Sequence, residues 1–310
     1  MIRFEHVTKL YKTVIGVNDV SLDLAPGAYG LLGPNGSGKT TFIHLIMGQL
    51  RPTIGSVRVF DEDPWRRNEL LRRIGFCPAV DILLPNVTAL DWVTYLVRLH
   101  GFESSVAAQR AEAALEIVGM RPAMRRPLGS YSLGMRQRCK IAQAIAHDPD
   151  LLILDEPFNG LDPVGRHELT AIFLKWIAEG KSILLASHLL HEVEAIEPSF
   201  LLISGGRLLA SGSPSEVRSM LADLPNEIHL RVDRPKEFAA QLCKIEAVEV
   251  IRIDSQSNEV VVSTRRPLVL GQHLPKIVSD GQFKVFEMRS GKESLQQLFG
   301  TLMRMHRGEL

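Results

Sequence analysis

The chain has 310 residues, 45% of them apolar, and 36 basic against 35 acidic side chains give a net charge of +1. That composition excludes disorder, and the balanced charge argues against a nucleic-acid partner held by bulk electrostatics. Cys77, Cys139 and Cys243 lack metal-ligand spacing, no apolar run approaches the roughly 20 residues of a membrane span, and the N-terminus has no signal-peptide core, so a cytoplasmic protein is expected.

In chain order, β-type patterns cover residues 1–7 and 17–24, and Pro26-Gly27 marks a turn. Tyr29 to Leu32 reads as a strand and Thr41 to Leu50 as a helix. Between them Gly33-Pro34-Asn35-Gly36-Ser37-Gly38-Lys39-Thr40 matches the phosphate-loop pattern G-x-x-x-x-G-K-[ST]. Glycines let such a loop turn its N–H groups onto phosphate oxygens. Lys39 can reach the β- and γ-phosphates, and the Thr40 hydroxyl can hold Mg²⁺. The helix N-terminus, at Thr41, favours an anion. Ser56 to Phe60 looks like a further strand.

From residue 84 to 147 the pattern turns helical. Thr88 and Asp91 resemble a capping box. A second helix puts Ala107, Ala111, Ala114, Leu115 and Val118 on one face and stops at Gly119. A third begins at Ser132 and is expected to bury Met135, Cys139, Ala142 and Ile145. These helices form a separate helical subdomain. The α/β pattern then resumes with Leu151 to Leu154, a wholly apolar strand. A helix ending at Gly180, a strand over 182–186 and a hairpin turning at Gly205-Gly206 follow. Ser213-Pro214-Ser215-Glu216 opens a last helix, and Leu224-Pro225-Asn226 is the linker. Residues 1–223 thus form one domain and 224–310 a second, smaller one. The second reads strand 227–232, helix 235–243, strand 248–253, strand 259–264, helix 267–279, strand 282–287 and helix 292–305. Its first six elements have the βαββαβ order of a ferredoxin-like α+β fold.

A phosphate loop needs an acidic partner, and Leu151-Leu152-Ile153-Leu154-Asp155-Glu156-Pro157 supplies it. Asp155 ends the apolar strand and can organise Mg²⁺. Glu156 follows and can take a proton from an attacking water.

The residues between these elements carry a family resemblance. Tyr131-Ser132-Leu133-Gly134-Met135-Arg136 resembles the signature motif of ABC ATPases, in the Y-S-L-G-M form of ABC-2-type exporters. Asn159-Gly160-Leu161-Asp162 resembles the family's D-loop, His188 its switch histidine and Tyr11 its adenine-stacking aromatic. The resemblance implies an α/β P-loop NTPase fold with a helical subdomain. It implies ATP and Mg²⁺ at Tyr11, residues 33–41, Ser132, Gly134 and Asp162, with Thr40 and Asp155 on the metal and Glu156, His188 and Lys39 in hydrolysis. It further implies a dimer with a second ATPase subunit, homodimeric or heterodimeric, in which ATP lies between one loop and the other subunit's Ser132 and Gly134. A separate integral membrane permease would hold the pair peripherally on the inner face of the membrane, with Pro85, Asn86, Val87 and Trp92 near its docking groove. One element departs: Ala79 stands where the family has a glutamine that reaches Mg²⁺ or water, with Asp81 a nearby substitute. The alternatives are a soluble ABC ATPase remodelling a complex and a nucleotide-binding regulatory module with little hydrolysis.

Overall fold

In a computed structural model, residues 1–81, 84–196, 199–213, 216, 226–254 and 257–290 are described. The expected helix opening at Ser213, Leu224 and Pro225 of the linker, and the helix over 292–305 lie wholly or mostly outside them. The chain divides into two compact units, Met1–Pro214 and Ser215–Leu310.

The first unit carries two sheets. β1 (Ile2–Tyr11), β2 (Val14–Leu24) and β4 (Ile54–Val59) form an antiparallel sheet of order β2-β1-β4. The first strands run further than expected, because β1 and β2 pair through to Tyr11 and Val14. β3 (Ala28–Leu32), β5 (Ile74–Cys77), β6 (Leu151–Asp155), β7 (Ser182–Ser187), β8 (Ser199–Ser204) and β9 (Arg207–Gly212) form the second, in the order β5-β6-β7-β3-β8-β9. All its pairings are parallel except the β8–β9 hairpin. β6 and β7 are buried at every position, as unbroken apolar runs require when both faces are covered. One core cluster joins the two sheets through helix α1 (Lys39–Ile46), where Phe4 stacks on Phe42 with centroids 4.5 Å apart.

Three helices follow β5: α2 (Ala89–Leu99), α3 (Ser104–Ile117) and α4 (Leu133–Ile145). Thr88 caps α2, accepting from the Asp91 N–H at 3.1 Å. α3 buries its alanine face as expected. α4 differs: Met135 is half-buried, and the polar Gln137 and Lys140 are buried instead, because both side chains reach acceptors off the helix. α5 (Pro163–Ala178) and α6 (Leu190–Glu194) flank β7.

The second unit has an antiparallel sheet of β10 (Asn226–Val232), β11 (Val250–Asp254), β12 (Glu259–Thr264) and β13 (Val285–Ser290), ordered β11-β12-β10-β13. Helices α7 (Pro235–Leu242) and α8 (Pro267–Asp280) complete it. Its core gathers Ile228, Leu230, Phe238, Leu242, Val260 and Leu270. β13 starts three residues later than the expected 282. Gln282 has a positive φ of 49°, and Phe283 packs edge-on against Phe238 as a core residue before the strand begins.

Candidate nucleotide site

Strand register assembles the site. Leu32 pairs with Ser187 and Asp155 with Ala186, so the ends of β3, β6 and β7 meet at one carboxyl edge of the sheet. Ligands of open α/β sheets bind at that edge. The loop from Gly33 leaves β3 there and enters α1. Gly36 and Gly38 have φ of 77° and 108°, and a Cβ on Gly38 would collide with the Gly16 carbonyl. Only glycine meets both demands. Two hydrogen bonds brace the turn: Ser37 N–H to Pro34 O at 3.1 Å and Gly206 N–H to Ser37 O at 2.9 Å.

α1 has no side-chain cap and no acid in its first turn. Its leading N–H groups therefore lack intrahelical partners, an arrangement that suits phosphate oxygens. The buried Ser37 hydroxyl has no partner either. Lys39 is buried, and its ammonium donates back to Gly33 O at 2.6 Å and Pro34 O at 3.4 Å. Burial pushes its pKa down, opposed by Glu156 and Asp155. Thr40 is exposed beside it. Tyr11 ends β1 beside this helix, with its hydroxyl 3.4 Å from Thr41 Oγ1. Both pack over Gly16, where a Cβ would lie 2.7 Å from the Tyr11 ring.

Asp155 and Glu156 are both buried at the end of β6. Burial, then the neighbouring Glu156, pushes the Asp155 carboxyl up to about 6, while Lys39 and Lys140 act the other way. Two adjacent buried carboxylates are a place where a divalent cation relieves repulsion. Glu156 takes a left-handed φ of 51°, held by its N–H to Ala186 O at 2.9 Å. A non-glycine residue in that region costs about 1–2 kcal/mol. Here the turn sends the carboxylate back into the site, 3.9 Å from the Lys39 ammonium. His188 Nδ1 lies 3.0 Å from both Glu156 oxygens.

A second tier supports this pair and was not visible in the sequence. Ser187 Oγ is 2.8 Å from buried Glu192 Oε2 and 3.3 Å from Glu156 Oε2, and it accepts from Leu189 N–H at 3.0 Å. Glu192 pairs with Arg166 at 3.3 Å, and Arg166 donates to Leu161 O at 3.3 Å.

Comparison with known proteins gives the family. The ABC transporter family model matches residues 17–159. The Nod factor export ATP-binding protein I of Cupriavidus pinatubonensis is 36% identical over 219 residues, covering 70% of this chain and 67% of that one. The bacitracin transport ATP-binding protein BcrA of Bacillus licheniformis is 36% identical over 212 residues, covering 67% and 68%. The chain belongs to the ATP-binding proteins of ABC transporters. A solved ATP-binding subunit of an ABC transporter superposes with a TM-score of 0.65 at 26% identity, over 71% of this chain and 92% of that one. The dimeric MJ0796 cassette, at 24% identity and a TM-score of 0.64 over 69% and 98%, shares the fold.

In this ABC ATPase, Ser132 and Asp162 serve as caps of two helices. Ser132 caps α4, accepting from Met135 N–H at 3.2 Å. Asp162 caps α5, accepting from Gly165 N–H at 2.8 Å. The two caps adjoin, since a Cβ on Gly134 would lie 3.1 Å from Gly160 O. Among the described residues no hydrogen bond or ion pair joins Ser132 or Asp162 to the loop over 33–40. The Asp81 carboxylate pairs with Arg136 at 2.6 Å, so it is directed to α4. Trp92 is half-buried and donates to Gln143 Oε1 at 2.8 Å.

Proposed function

We propose that this ABC ATPase powers a membrane exporter through a separate transmembrane partner. The observation that carries the reading is Glu156, turned by its left-handed backbone toward Lys39 and bonded to His188. A carboxylate so placed takes the proton of the attacking water, and the histidine beside it orients that base. Lys39 and the uncapped start of α1 hold the phosphates, while Tyr11 stacks on the base. Thr40 and Asp155 would hold Mg²⁺, which when bound would supply charge neutralisation at the transferring phosphoryl group.

Among the described residues Ser132 makes its hydrogen bond to its own helix and none to its own phosphate loop, which supports a site completed by a second ATPase subunit. One chain carries both halves, so a second copy of it is the simplest partner. The names of its relatives, in Nod factor export and bacitracin transport, favour export. No helix among the described residues is long and apolar enough to cross a membrane, which is compatible with a permease on a separate polypeptide and the ATPase docked on its inner side. Residues 1–223 form the ATPase domain and 224–310 an accessory domain. The β11-β12-β10-β13 order supports a ferredoxin-like reading of the latter.

The test is purification of the tagged chain from detergent-solubilised membranes of its native host. An integral membrane protein is expected to co-purify, with ATP hydrolysis that K39A abolishes. Purification alone, with no hydrolysis, overturns the reading.

A further inference from the structure

The loop after β5, Pro78 to Asp81, has a methyl group at position 79 and is held by its backbone instead. Lys140 of α4 is 3% exposed. Its ammonium donates to three successive carbonyls: Pro78 O at 2.9 Å, Ala79 O at 3.2 Å and Val80 O at 3.2 Å. An ammonium has three N–H donors and no acceptor, so the loop satisfies all of them. One helical turn earlier, on the same face, Arg136 forms its ion pair with Asp81 and donates to Tyr131 O at 2.7 Å. Between them Gln137 donates to Pro157 O at 2.8 Å, two residues beyond Asp155. A single helix therefore grips both the loop and the end of the strand that carries the acidic pair.

An apolar side chain would fill the Lys140 position without desolvating a charge. It would also leave three carbonyls in need of donors. What the ammonium adds is a fixed loop backbone. A glutamine at 79 would link the loop to the site through its side chain. With alanine there, the link runs through the backbone and α4.

We propose that Lys140 is a positioning residue for ATP hydrolysis, fastening residues 78–80 to the helix that begins at Ser132. Because Ser132 caps that same helix, displacement of its first turn by a second subunit's nucleotide is carried rigidly to the loop. This inference rests on the two-subunit reading above.

The experiment compares the full chain with K140M, which keeps the length and apolar stem, and K140R, which keeps the charge. Amide exchange at residues 79–81 is read without nucleotide, and kcat and KM for ATP are read per titrated binding site. In K140M the amides are expected to exchange about tenfold faster. Its kcat is expected to fall about tenfold with KM unchanged. K140R is expected to recover most of both. K140Q replaces K140M should the latter not fold. Unchanged exchange in the neutral variant overturns the tether, and faster exchange with unchanged kcat overturns its role in hydrolysis. A wild-type chain that hydrolyses no ATP overturns the ATPase reading, while the exchange arm still decides the tether.

Discussion

At the scale of single residues, the proposed chemistry rests on Glu156. Its backbone strain, its approach to Lys39 and its bond to His188 all serve one carboxylate. E156Q keeps the shape and removes the proposed base, so hydrolysis should fall by about 10²–10⁴ while ATP affinity stays the same. Single-turnover kinetics beside equilibrium binding measure the two separately. Ser187 tests the supporting tier. S187A leaves the buried Glu192 carboxylate without that donor and should destabilise the protein by about 1–3 kcal/mol in denaturant unfolding. It should also slow hydrolysis by loosening the turn that presents His188. The difference in legibility is physical. Lys39, Asp155 and Glu156 lie in contiguous strings whose spacing is set by strand and loop geometry. Ser187, Glu192 and Arg166 meet only after β7, α6 and α5 pack, and no local pattern encodes that meeting.

Elements show the same division. The apolar runs of β6 and β7 and the alanine face of α3 were readable, because burial on one or both faces dictates their periodicity. The polar face of α4 was not, since Gln137 and Lys140 are buried by acceptors on distant loops. The end of α4 carries a further consequence. His147, just past the helix, bonds Ile74 O through Nε2 at 3.1 Å, stacks on His100 at 3.8 Å and leaves Nδ1 buried without a partner. Burial, with His100 next, lowers its pKa to about 4. Between the ordinary histidine value near 6.5 and about 4, the unfolded chain binds a proton that the folded chain refuses. Stability therefore falls as pH drops through that window, and is retained above it. The expected loss is about 3 kcal/mol at full effect. H147F keeps the stack and removes the titration. Urea unfolding of H147F at several pH values should give a flatter profile from 6.5 to 4 than the wild type, and an equally steep one would exclude His147 as the cause.

At the scale of the molecule, the order of elements was legible further than their contacts. The βαββαβ run of the second unit appears as six elements with its four strands in one antiparallel sheet, although β13 began late once Phe283 was drawn into the core. The two faces of the ATPase unit follow from the same logic. The phosphate loop and the acidic pair lie on a sheet edge, and Ser132 and Gly134 lie at the start of α4, so the proposal makes each of them half of a site. On the two-subunit proposal, a second copy would complete both at once, and hydrolysis at Glu156 would release it. The most direct measurement is the solution mass of the 34.5 kDa E156Q chain with Mg²⁺ and ATP, by light scattering. The mass should double on adding ATP and return to that of one chain when S132R blocks the opposing face. A chain that binds ATP at saturation yet keeps the mass of a monomer would contradict the shared site.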